Sequence, residues 1–206
     1  MGRGRHASYD GQREMILARA AELFARGGYP GTSMNQVAEA CGLSKATLYH
    51  YYRDKYALLV HICDSHVSRL RAVVAAGLAE EDDPQGQLRA LIGGLVREYA
   101  SAQHEHRVLT EDVKFLESAD RERILGKERE VVAAFARVVA MLRPDLREAA
   151  LGKPLTMLLF GMVNWMFTWM KAQGPLAYED MAPVVAALFL GGLEKVQAPL
   201  RAATLD

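Results

Sequence analysis

Cysteine is scarce in this chain, and so are the local signals of small-molecule chemistry. The two cysteines, Cys41 and Cys63, have no paired spacing. That offers neither a zinc framework nor a disulfide scaffold, and it predicts a reducing, cytoplasmic setting. No glycine-rich phosphate loop and no nucleophile elbow occurs. His61, Asp64 and His66, like His104, Glu105 and His106, are spaced so that three ligands do not share a helix face. The most apolar stretch, residues 155–170, has 16 residues, short of the roughly 20 that span a bilayer. The opening MGRGRHASYDGQRE has no apolar core, so a secretory signal is not expected. Val, Ile and Thr never form the alternating runs of a half-buried strand. The expectation is an all-α protein with no membrane span, no metal, no cofactor and no catalytic site.

Charge of either sign is also missing as a bulk excess, since 25 basic residues balance 25 acidic ones. The distribution is uneven. Residues 1–56 carry eight Lys or Arg against five Asp or Glu, a net of +3, which leaves −3 for the remainder. A basic first quarter on a mildly acidic body suits a small DNA-binding head on a separate body.

Residues 34–53, MNQVAEACGLSKATLYHYYR, carry most of the information. The pattern predicts two short helices joined by a tight turn, with Gly42 in the left-handed conformation that ends the first. Val37, Cys41, Leu43, Leu48 and Tyr51 fall at inward positions. Lys45, Thr47, Tyr49 and His50 face outward on a helix short enough to enter a major groove. Ser44 caps that helix, and its first free N–H groups can point at a phosphate. Lys55 opens the following helix. The DNA-binding candidates are therefore Ser44, Lys45, Thr47, Tyr49, His50 and Lys55, with Arg3 and Arg5 as a basic arm over residues 1–10.

Around this motif the periodicity predicts helices at 11–27, from about 32 to 41, 44–52, 55–79, 84–103, 104–117, 118–142, 154–173 and 180–197, nine in all. The helix after Pro154 carries Met162, Trp165, Met166 and Trp169 at three- and four-residue steps, a spacing that puts them on one face. Such Met-rich aromatic walls suit a flat apolar ligand. Phe115 joins them as a candidate, and Asn164 is the polar group that could orient a carbonyl. Lys114, Arg121, Arg123, Lys127 and Lys171 are the cations that could meet a phosphate. Val184, Leu188, Gly191 and Gly192 suit close helix packing between two copies. An equally simple account of these apolar stripes is ordinary core.

The stretches ILARAAELFARGGYPGTSM and VAEACGLSKATLYHYYRDKYALL resemble the TetR family of transcriptional repressors over about residues 11–58. That resemblance implies an all-α homodimer with a three-helix DNA-binding head and a body of six or so helices that binds an inducer. The implied division is an arm at 1–10, a head at 11–71, and a ligand-binding and dimerisation domain at 72–206. It also implies that Lys55 clamps a phosphate, that the partner is a palindromic operator in double-stranded DNA, and that the inducer is a small molecule. GMVNWMFTWMKAQGPLAYEDM, followed by LFLGGL, resembles the branch that responds to acyl-coenzyme A thioesters, nearest to repressors of phenylacetate degradation that sense phenylacetyl-coenzyme A. This chain departs from that branch at Met170-Lys171, where an Arg or Tyr is common. The alternative is a regulator of another hydrophobic ligand, such as a drug or a fatty acid.

Overall fold

The protein, a computed structural model, is described at residues 3–148, 150–170 and 174–197. Among the described residues there are ten α-helices and no strand. They are α1 (Arg3–Gly27), α2 (Met34–Ala40), α3 (Lys45–Tyr51), α4 (Lys55–Glu80), α5 (Pro84–Ser101), α6 (Gln103–Asp112), α7 (Ser118–Leu142), α8 (Pro144–Glu148), α9 (Gly152–Asn164) and α10 (Met181–Lys195). Short 3-10 turns lie at Val113–Phe115 and Met166–Thr168. No described helix is long and apolar enough to cross a membrane.

The chain divides into two compact units. The first holds residues up to 69 together with 102–127; the second holds 70–101 and everything from 128 onward. Helices α4 and α7 contribute residues to both.

In the first unit, Ile16, Ala20 and Phe24 of α1 recur at the helical period and are fully buried with Val37, Leu48, Leu58, Leu59 and Ile62. Burial on this scale stabilises by about 1.5–3 kcal/mol per large apolar side chain. The Ser33 side chain and Gln36 form a reciprocal capping box that starts α2. Gly42, at φ 64°, ends it. The Leu43 N–H reaches back to the Ala38 carbonyl at 2.9 Å, the signature of a left-handed helix stop. Helix α6 packs along α1, adding Val108 and Leu109 to the same core.

Where a flexible arm was expected, residues 3–10 are helical and continue α1. The reason lies in its aromatic contacts. Tyr9 stacks on Tyr51 with ring centres 4.8 Å apart, and the Arg13 guanidinium donates to the Tyr52 hydroxyl at 3.4 Å. These contacts tie the start of α1 to α3. The side chains of Arg3 and Arg5 lie outside the described ones.

The second unit is built on α5. Its residues Leu88, Leu91, Ile92, Leu95, Val96 and Tyr99 form a continuous buried stripe. Val185, Ala186, Phe189, Leu190 and Leu193 of α10 belong to the same core, with Phe135 of α7 and Phe160 of α9 in edge-to-face contact. Gly94 permits the approach of α4 to α5, because a Cβ there would meet Val73 at 2.5 Å.

Two further differences from expectation concern helix ends. The segment 104–117 stops as an α-helix at Asp112 and tightens into a 3-10 turn. Pro144 does more than interrupt the chain: it opens the short helix α8.

Candidate functional site

The outward face of α3 is built by its neighbours. Leu48 is fully buried and Tyr52 nearly so, which fixes the rotation of the helix and leaves Ser44, Lys45, Thr47, Tyr49 and His50 exposed. Burial raises the Tyr52 phenol above its ordinary range, the Arg13 hydrogen bond opposing this. Ser44 caps the helix: its hydroxyl accepts from the Thr47 N–H at 3.1 Å and lies 2.8 Å from the Thr47 hydroxyl. The Lys45 ammonium sits 5.9 Å from the centre of the Tyr49 ring. His50 meets Tyr51 edge-on at 5.6 Å and Tyr9 at 6.5 Å.

Lys55 is placed differently from a free clamp. Its ammonium donates to the carbonyls of Tyr29 and Pro30 at 2.8 and 3.3 Å and lies 4.5 Å from the Tyr29 ring centre. It therefore fastens the turn between α1 and α2. Lys45, Tyr49 and Lys55 together line a cleft of about 430 Å³ whose other wall is Pro30–Asn35. That wall was absent from the sequence-based candidates. Asn35 is exposed there, and only the capping box before α2 could have signalled the position.

The ligand candidates are not gathered into one surface. Phe115 belongs to the first unit, where it lies against Tyr29 with ring centres 5.5 Å apart and has the Lys114 ammonium 5.3 Å from its centre. Met162, Asn164, Trp165, Met166 and Trp169 belong to the second. The expected single face at 162–169 does not form. The α-helix ends at Asn164, and Met166–Thr168 is a 3-10 turn. Three residues per turn replace 3.6, so side chains after Trp165 rotate away from the earlier stripe. Met166 turns into the core, while Met162, Trp165 and Trp169 are exposed, Trp165 by 66%. Asn164 Oδ1 is buried and has no hydrogen-bond partner among the described residues. Lys171 lies outside the described residues.

Two of the proposed phosphate cations are already committed. Arg123 donates to Asp64 and Asp120, and Lys127 donates to Asp64 at 2.8 Å and to Ser68 at 3.0 Å. The Arg123 hydrogen bond, and then that of Tyr56, hold the Asp120 carboxyl below its usual range. Val184, Leu188, Gly191 and Gly192 are all exposed on the side of α10 opposite its core stripe. Among the described residues no group of three His, Cys, Asp or Glu side chains could hold a metal ion.

Comparison with known proteins joins these features. Residues 16–62 match the model of the bacterial regulatory proteins of the tetR family, and residues 81–193 match that of the tetracyclin repressor-like C-terminal domain. A TetR-family transcriptional regulator from Bordetella parapertussis is 33% identical, with a TM-score of 0.83 over 90% of this chain and 97% of that one. The structure of AibR with isovaleryl coenzyme A and operator DNA is 24% identical, with a TM-score of 0.74 over 86% and 97%, a likeness of fold. The transcriptional activator FasR of Mycolicibacterium smegmatis is 31% identical over 90 residues, 44% of this chain and 41% of FasR. The chain spans about half or less of the length of the first curated relatives it matches. With both domain models matched in order and a relative alike along almost its whole length, the chain belongs to the TetR family of transcriptional regulators.

Proposed function

We propose that this protein is a ligand-responsive repressor that binds a palindromic operator as a homodimer and leaves it when a small-molecule inducer binds. The observation that carries the DNA reading is the shared cleft. Lys45, Tyr49 and Lys55 come from two helices and meet on one exposed concavity beside a rigidly capped α3. Phosphate contacts from the lysines would fix register, and Thr47 and Tyr49 would add base contacts. Lys55 keeps one N–H beyond its two carbonyls for a phosphate.

The homodimer reading is supported by α9 and α10. Leu158, Met162 and Trp165 on α9 and its cap, and Val184 and Leu188 on α10, are large apolar side chains left exposed. A Cβ at Gly161, Gly191 or Gly192 would meet nothing within 4 Å. Nothing among the described residues requires these glycines, whereas close packing of a second copy would.

The inducer we propose is an acyl-coenzyme A thioester such as phenylacetyl-coenzyme A. The NWMFTW segment supports it, as does the buried Asn164 Oδ1, without a hydrogen-bond partner among the described residues, which a ligand amide or hydroxyl could satisfy. AibR, of the same fold, was crystallised with a related thioester and its operator. Inducer binding would favour a state that fits the operator less well, and the repression lost would equal the difference in affinity. We assign α4 as the lever, since it is one unbroken helix with residues in both units. Activation is the second reading, favoured by the likeness to FasR.

A gel-shift series against DNA upstream of the protein's own gene tests the DNA reading. Binding should fall steeply with salt. Absence of binding at low salt would overturn it. Thermal-shift screening against acyl-coenzyme A thioesters tests the inducer, because a tight ligand raises the midpoint by mass action. Stabilisation by free phenylacetate and not by its thioester would exclude the thioester reading. Transcription from the bound promoter separates repression from activation.

A further inference from the structure

The second unit contains an open groove of about 710 Å³ that none of the described thioester candidates lines. Its floor is the outer face of α7, where Ala133, Ala136 and Ala140 recur at helical spacing and Met141 adds a larger apolar side chain. Small side chains hollow this surface; any larger residue at these positions would fill it. Its far wall comes from the end of α8 and the start of α9. There Ala150, a non-glycine residue at φ 59°, ends α8 in the left-handed region, a conformation that costs an L-residue energy.

Three cations line the same groove: Arg137, Arg147 and Lys153. Among the described residues no carboxylate lines it. Two other arginines of this unit are paired, Arg71 with Glu130 and Arg143 with Asp145. The side chains of these three have no ion pair or hydrogen bond among the described residues. Three like charges around an apolar floor repel one another and gain nothing from the alanines. A ligand with an apolar body and an anionic head satisfies both halves. We infer that the α7–α9 groove is a binding site for a small amphiphilic anion, its chain on Ala133, Ala136 and Ala140 and its phosphate or carboxylate on Arg137, Arg147 and Lys153. This goes beyond the proposed inducer and does not depend on it.

Calorimetric titration of the full chain with octyl phosphate, octanoate, octyl glucoside and inorganic phosphate tests the site. Octyl phosphate or octanoate should bind, the tighter of the two identifying the head group, and added salt should weaken binding. The neutral glucoside and inorganic phosphate should each bind much more weakly. Arg147→Glu and Lys153→Glu should each weaken the anion by roughly tenfold, as loss of a charge-assisted contact predicts. Ala133→Trp, at an exposed position, should block the groove with helix content and unfolding midpoint unchanged. Equal binding of the glucoside would reduce the groove to a nonspecific apolar surface and overturn the inference. Equal binding of inorganic phosphate would remove the alanine floor from it. If neither anion binds and Ala133→Trp instead dissociates the protein in sedimentation, the groove is a contact between copies and the inference fails. Operator binding and thioester response, measured on the same variants, stand or fall separately.

Discussion

Single residues decide what the head can touch. Lys45 is exposed, and its nearest recorded aromatic contact is Tyr49 of the same helix. Lys45→Ala should weaken operator binding across sequences and lower the salt slope by about one; an unchanged slope in gel shifts would take Lys45 off the phosphates. Tyr49→Ala should weaken the same complex with no change in thermal midpoint, since the side chain is 43% exposed. Buried residues behave differently. His106 faces His66, with Nδ1 3.3 Å from the His66 Nε2, and Arg69 lies 3.4 Å from the other His66 nitrogen. Burial, then the charge of His66, pushes the His106 imidazolium down to about 3 from its ordinary 6.5. The folded state thus holds the ring neutral. Above pH 6.5 the unfolded ring is neutral too and nothing is lost. As the pH falls from 6.5 toward 3 the unfolded chain takes up a proton that the folded one refuses. Stability should then drop by up to ~1.4 kcal/mol per pH unit. Urea midpoints at pH 7.5, 6.5 and 5.5 check this: His106→Gln should flatten the trend, and an equally steep decline would assign it elsewhere.

At the scale of elements, the turn between α2 and α3 is the most constrained feature. Gly42 sits at φ 64° with open space around it, so a side chain there is strained by backbone and not by crowding. Gly42→Ala should cost about 1–2 kcal/mol and disturb the angle at which α3 is offered, visible as a lower midpoint and weaker operator binding together. Gly94 is the opposite case. Its φ is ordinary but Val73 lies 2.5 Å from where a Cβ would be. Gly94→Ala should destabilise by roughly 1–3 kcal/mol through overpacking while the DNA face keeps its affinity per folded molecule. If Gly94→Ala leaves the midpoint unchanged, the close α4–α5 approach is not rigid. The 3-10 turn at Met166–Thr168 is the element that periodicity could not foresee. Spacing assumes 3.6 residues per turn throughout, and Trp165 is where that assumption stops holding.

For the whole molecule, the exposed faces of α9 and α10 matter most. Leu188 is 65% exposed on the face of α10 opposite its core stripe, and an isolated chain gains nothing from it. Leu188→Arg should convert a dimer to a monomer in sedimentation and abolish binding to a palindromic site, with helix content retained. A monomeric wild-type protein, or a dimer indifferent to this change, would remove α10 from the interface. The first unit also recruits more of the chain than its helix-turn-helix. Val108, Leu109, Leu116 and Ile124 join its core from sequence positions far beyond α3.

The amino-acid sequence determined the helical class, the capped turn at Gly42 and the outward set Ser44, Lys45, Thr47, Tyr49 and His50 by itself. Those features depend on interactions within a few residues: a cap, a left-handed stop and a 3.6-residue period around buried Leu48. Only the tertiary structure decided that residues 3–10 continue α1, that Lys55 spends two of its donors on Tyr29 and Pro30, and that Arg123 and Lys127 belong to Asp64. It alone sent Met166 inward and left Arg137, Arg147 and Lys153 together beside an alanine floor. Each of these depends on partners tens of residues away, and a local pattern records what a side chain can do without recording which neighbour reaches it first.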